Sequence, residues 1–161
     1  MLVVADSSPF ILLITIGDVD ILPKLFKNVV VPPDVLAELR QPSRPKTVLD
    51  FVASRPAWLL ERTPTAVLRI PKLHAGESAA ICLAEELKAD LLLIDETQGR
   101  KAAAERRIPF TGTVGVLELA ADRGLLDLSE AFARVKETDF WISDDLLDER
   151  LKLFQTGRKG H

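Results

Sequence analysis

The chain has 161 residues, 47% of them hydrophobic and 28% charged, with a net charge of −3, a balance that fits one globular domain with a sizeable core. One cysteine, Cys82, excludes an internal disulfide, and with only His74 and His161 for imidazoles a zinc site or a Ser-His-Asp triad has little to draw on. The apolar stretch at residues 10–16 is too short to span a bilayer, and no positive cluster precedes Asp6, so neither an anchor nor a signal peptide is expected and the expected location is cytoplasmic.

Leu2-Val3-Val4-Ala5 is an apolar run too short for a helix and without polar alternation, which predicts a strand buried on both faces and closed by Asp6. Ser7-Ser8-Pro9 predicts a helix start, with serine as cap and proline in the first turn, running to Ile16 and ended by Gly17. A helical piece over 19–26 leads to a strand at Val29-Val30-Val31. Pro32-Pro33 then open a helix whose stripe is Val35, Leu36 and Leu39, with Asp34 favourable to the macrodipole. Five prolines between residues 41 and 72 predict loops around one helix at 46–54 and one strand near 58–61.

From residue 75 the pattern sharpens. Ala80, Leu83, Ala84 and Leu87 recur at helical spacing, with Cys82 expected among them as a small buried hydrophobe. Leu91-Leu92-Leu93-Ile94 repeats the opening pattern, again closed by an aspartate, Asp95. Helix at 97–107, strand at 108–111 and helix at 115–123 follow. Proline is absent after Pro109, so the remainder reads as helix at 129–135 and 143–154, the latter capped by Ser143 and apolar along Leu147, Leu151 and Phe154. Alternating strands and helices predict a doubly wound α/β sheet.

Asp6 and Asp95 therefore fall at the carboxyl ends of two strands, the edge where open α/β sheets bind ligands. Glu38 borders the stripe of its helix, and Glu77 stands in the first turn of another on the face shared with Ala80, Ile81 and Ala84. Gly76 beside it lacks a Cβ and permits close approach of a neighbour. Each acid alone also fits a blander role, as a helix cap, a dipole partner or a rim carboxylate. Together, four carboxylates at one edge repel one another unless a cation neutralises them or some are protonated. An oxygen-only donor set suits Mg²⁺ or Mn²⁺, whose use would be phosphodiester hydrolysis by activated water. Basic residues cluster at Arg40, Arg44 and Lys46, at Arg100, Lys101, Arg106 and Arg107, and at Arg158-Lys159; each cluster fits a solvated face as well as a phosphate-binding patch.

These residues in this order resemble the PIN-domain nucleases, and particularly the branch of VapC-type toxins and their prokaryotic relatives. The resemblance rests on Val4-Ala5-Asp6-Ser7-Ser8-Pro9, Val35-Leu36-Ala37-Glu38-Leu39, Ala75-Gly76-Glu77-Ser78-Ala79-Ala80-Ile81, Leu93-Ile94-Asp95-Glu96 and Thr111-Gly112-Thr113-Val114-Gly115. It implies a three-layer α/β/α sandwich with a mostly parallel sheet over residues 1–155, followed by a short polar tail at 156–161. It also implies a Mg²⁺- or Mn²⁺-dependent endoribonuclease with Asp6, Glu38, Glu77 and Asp95 as catalytic, metal-holding acids. Ser8 and Thr113 resemble the supporting polar residues, Glu96 stands where many members carry a second aspartate, and Arg100 is placed to meet substrate phosphate. RNA as substrate, a homodimer and a small antitoxin partner are further implications, and the segment at 143–154 with Trp141 is a candidate packing or dimer surface.

Two other readings remain. A PIN-like module could keep the acids and only hold RNA or a protein. An aspartyl-phosphate phosphatase or receiver domain fits poorly, since Ser8 occupies the place of the phosphatase's second aspartate and no lysine follows Thr111-Gly112-Thr113.

Overall fold

The short β-branched and leucine-rich runs do become strands, and all of them are parallel. The computed structural model describes residues 1–140 and 142–159; Trp141 and the two C-terminal residues lie outside them. β1 (Val3–Ala5), β2 (Val29–Val31), β3 (Leu59–Glu61), β4 (Leu91–Leu93) and β5 (Phe110–Thr111) form one sheet in the order β3-β2-β1-β4-β5. Strands β1 and β2 are buried along their whole length, as runs without polar alternation require when helices cover both faces.

The connections are helical: α1 (Ser7–Ile16), α2 (Ile21–Phe26), α3 (Pro33–Leu39), α4 (Lys46–Ala53), α5 (Ala75–Leu87) and α6 (Thr97–Glu105). Helices α1, α3 and α4 pack on one another, α5 packs on α6, β1 and β4, and α3 also meets α5. The result is an α/β/α sandwich with an all-parallel sheet. The core is built from Val3, Val4, Phe10, Leu12, Leu13, Leu36, Ile81 and Leu92, all sealed from solvent. An aromatic cluster of Phe10, Phe51 and Trp58, with ring centroids 5.9 to 6.3 Å apart, pins α4 and the approach to β3 onto α1.

Residues 1–113 form one compact unit and a second begins at Val114. The second unit is helical: α7 (Thr113–Asp122, all but its first residue), α8 (Leu128–Lys136) and α9 (Asp144–Lys159). Asp127 caps α8 by accepting from the Glu130 N–H at 3.1 Å, and Ser143 Oγ accepts from the Leu146 N–H at 3.0 Å, as the sequence predicts for the start of α9. Arg150 reaches Glu118 with two of its guanidinium nitrogens, Nε and Nη2, and Lys136 pairs with Asp148.

Several boundaries differ from the sequence reading. Asp6, not a serine, occupies the N-cap position of α1, because β1 runs directly into the helix. Helix α7 starts at Thr113 rather than at 115, since the Thr113 N–H finds its acceptor outside the helix. Helix α9 continues to Lys159, into the stretch expected as a polar tail and with Gly157 inside it, because no proline or left-handed residue stops it among the described residues. Cys82 is half-buried, with Sγ donating to the Leu68 carbonyl at 3.6 Å, so it borders a loop rather than filling the core. Among the described residues no helix is long and apolar enough to cross a membrane.

Leu92 is 0% exposed and Leu68 is 72% exposed. Leu92→Ala is expected to destabilise the protein by about 2–5 kcal/mol and Leu68→Ala by less than about 0.5 kcal/mol, as read by urea denaturation.

Candidate active site

The strand order reverses between β1 and β4: β2 and β3 lie to one side, β5 to the other. A crevice opens at the carboxyl ends where such a reversal occurs. Asp6 and Asp95 stand there, one and two residues beyond their strands. The register Ala5↔Leu93 and the bond from the Asp6 N–H to the Leu93 carbonyl at 2.9 Å bring the two strand ends together.

Asp6 has the backbone of an N-cap (φ −82°, ψ 174°), but its side chain makes no capping bond. It is 1% exposed, and its Oδ1 is buried without a partner. Burial above all raises its pKa to about 7; the facing Ser7 N–H works the other way, and the charges of Glu38, Glu77 and Asp95 add to the rise. Glu77, in the first turn of α5, is 7% exposed, and its Oε2 is likewise buried without a partner. Its pKa also rises to about 7, first through burial, then through the charges of Glu96 and Glu38 and a hydrogen bond with the Glu96 carboxyl. The capping and dipole readings of these two acids leave those oxygens unexplained.

Glu38 and Asp95 are held in a different way. Glu38 Oε2 accepts from Ser7 Oγ at 2.6 Å and its Oε1 from the Gly76 N–H at 3.0 Å. Asp95 takes both donors of one residue: the Thr113 N–H at 2.7 Å on Oδ1 and the Thr113 hydroxyl at 2.7 Å on Oδ2. Thr113 is 0% exposed and Asp95 half-buried, so the clamp is covered from the threonine side. Asp6 lies within electrostatic reach of Glu38, Glu77 and Asp95, and Glu77 within reach of Glu38 and Glu96. None of them pairs with a cation among the described residues.

The remaining predicted residues take definite places. Glu96 is the N-cap of α6, accepting from the Gly99 N–H at 2.7 Å, and its carboxyl also meets Glu77. Arg100 donates Nε to the Ile94 carbonyl at 3.1 Å and lies over the Phe110 ring at 5.5 Å. Gly112 makes room there: a Cβ on it would stand 2.6 Å from both Arg100 Nη2 and Asp95 Oδ1. Ser8 is half-buried, and the hydroxyl that touches an acid belongs to Ser7 instead. Sequence reasoning missed Ser7; the signal available was its place at the first helical position directly after Asp6. Arg44, from the basic cluster after α3, donates Nε to the Glu38 backbone carbonyl at 3.0 Å.

Among the described residues, no three acid, histidine or cysteine groups already stand at coordinating distance of one point. What the chain does present is an oxygen-only donor set with two buried oxygens that no group among the described residues satisfies.

A parallel sheet whose switch point gathers acids at its carboxyl edge is an α/β domain with a candidate ligand site at that edge. A family profile described as PIN domain matches residues 2–156, and the chain belongs to that family. No curated protein matches it.

Asp6 and Glu77 bind their protons more tightly folded than unfolded. Their contribution to stability is thus complete below the ordinary carboxylate pKa of roughly 4 and is lost as pH rises to about 7. Without divalent cations the melting temperature is expected to fall between about pH 4 and about pH 7. Asp6→Asn should flatten that fall and exceed the wild type at about pH 8 by on the order of 2 kcal/mol, measured by thermal melting in chelator.

Proposed function

We propose that the chain is a cytoplasmic, Mg²⁺- or Mn²⁺-dependent endoribonuclease that hydrolyses RNA phosphodiesters at this acid cluster, acting as the toxin of a toxin-antitoxin pair. The observation that carries the reading is the pair of buried carboxylate oxygens, Asp6 Oδ1 and Glu77 Oε2, left without a donor inside a field of like charge. Buried carboxylates in that condition take up a proton or a cation.

The residues fit such an ion. Asp6 and Glu77 would hold it, with Glu38 and Asp95 lining the same crevice, and oxygen donors without imidazole or thiolate favour Mg²⁺ or Mn²⁺. When bound, the ion supplies an acidic water as nucleophile and offsets charge building on the phosphate. Asp95, fixed by both donors of Thr113, keeps its carboxylate aimed without needing to reorganise. Among the described residues Arg100 donates through Nε alone, which leaves its Nη groups to a substrate phosphate beside Asp95. Phe110 under the guanidinium limits its wandering.

The toxin assignment, the homodimer and the antitoxin partner rest on the resemblance to VapC-type proteins. A small protein that inserts a cation into the crevice in place of the metal would suit the acid cluster. A second reading, a PIN-like module that holds RNA or a protein without cutting, draws on Glu38 and Asp95 having both oxygens already bonded within the chain.

Cleavage of a mixed RNA pool with Mn²⁺ separates the two. Asp6→Asn and Asp95→Asn are each expected to drop the rate below about one hundredth of wild type with the circular dichroism spectrum unchanged, and Thr113→Val to cost about 10–100-fold. Metal-stimulated cleavage that survives both aspartate changes would sink the nuclease assignment at this site.

A further inference from the structure

Helix α5 begins without a side-chain cap, since His74 makes no capping bond, and its first N–H groups need acceptors from elsewhere. One acceptor is Glu38, reaching over from α3 to the Gly76 N–H. The approach is possible only because residue 76 is glycine. A Cβ there would stand 2.5 Å from Glu38 Cδ and 2.6 Å from its Oε2, and its three nearest atoms all belong to that carboxylate. The other oxygen of Glu38 is taken by the Ser7 hydroxyl, which is buried in the first turn of α1.

Glu38 therefore bridges two helix N-termini through the immediate neighbours of the two acids that each keep one unpartnered oxygen: Ser7 follows Asp6, and Gly76 precedes Glu77. We propose that Gly76 and Ser7 are positioning residues, which seat the Glu38 carboxylate between α1 and α5 and through it set the spacing of Asp6 and Glu77. This rests on the acid-cluster reading of the site. The bridge uses no backbone strain, because Gly76 has ordinary helical geometry and needs only to lack a side chain. The same contact gives α5 an anion at its N-terminus, where the helix dipole favours one.

The test has one arm without turnover. In chelator, Gly76→Ala is expected to lower the melting temperature of the wild type, because the new methyl expels Glu38, yet to raise it in a Glu38→Ala background, where alanine is simply the better helix former. Equal lowering in both backgrounds would overturn the proposal. In the second arm, Gly76→Ala should raise the Mn²⁺ concentration for half-maximal cleavage by about 10-fold or more and lower kcat while leaving KM for RNA unchanged. Ser7→Ala should act in the same direction and Ser7→Thr should restore the wild-type requirement. An unchanged Mn²⁺ requirement in Gly76→Ala contradicts the proposal. A wild type that cleaves nothing defeats the nuclease reading instead, and the melting arm still judges the bridge.

Discussion

A carboxylate withdrawn from water must find a donor, a proton or a cation, because its desolvation far exceeds what packing returns. Asp6 and Glu77 are nearly sealed, each keeps one oxygen with no donor, and each faces other acids rather than a base. The rest of the site is arranged around that constraint. Glu38 and Asp95 are tied down by two donors apiece, so the cluster cannot relax by swinging its members toward solvent. Such a frustrated group is a cost to folding that function explains more readily than stability does.

The fold supplies the means. With the order β3-β2-β1-β4-β5, the sequence in which strands are added reverses between β1 and β4, so two parallel strands far apart in sequence end side by side. Three helix N-termini then point donors at the acids: α1 offers the Ser7 hydroxyl, α5 the Gly76 N–H and α7 both donors of Thr113. Helix N-termini favour negative charge, which lets four acids share a crevice that their repulsion alone would open.

Much of this was legible in the sequence. β1, β2 and β4 fall where apolar runs lack polar alternation, β3 and β5 near the short strands expected at 58–61 and 108–111, and the helices start and stop near the predicted prolines and glycines, Gly17 among them with its left-handed backbone. Asp6 and Asp95 were readable because each closes a buried strand. What was not readable is which atoms meet. Whether Ser7 or Ser8 touches an acid depends on how β1 enters α1 without an intervening turn, and that is a matter of a single residue's phase around the helix. Gly76 suggested a close approach, but nothing local says that the group approaching is the Glu38 carboxylate from a helix 38 residues earlier. Glu96 likewise combines a cap with a contact to Glu77, two roles that only the tertiary arrangement joins.

The central claim is that Asp6 and Glu77 keep oxygens free for a cation and hold protons near neutrality until it arrives. Calorimetric titration of the metal-free protein with Mn²⁺, in buffers of differing ionisation enthalpy, measures this by counting protons released on binding. The account predicts release at about pH 6, none at about pH 9, and loss of the release when Asp6→Asn and Glu77→Gln are combined. Binding at about pH 6 with no proton release, or release undiminished in the double variant, would contradict it.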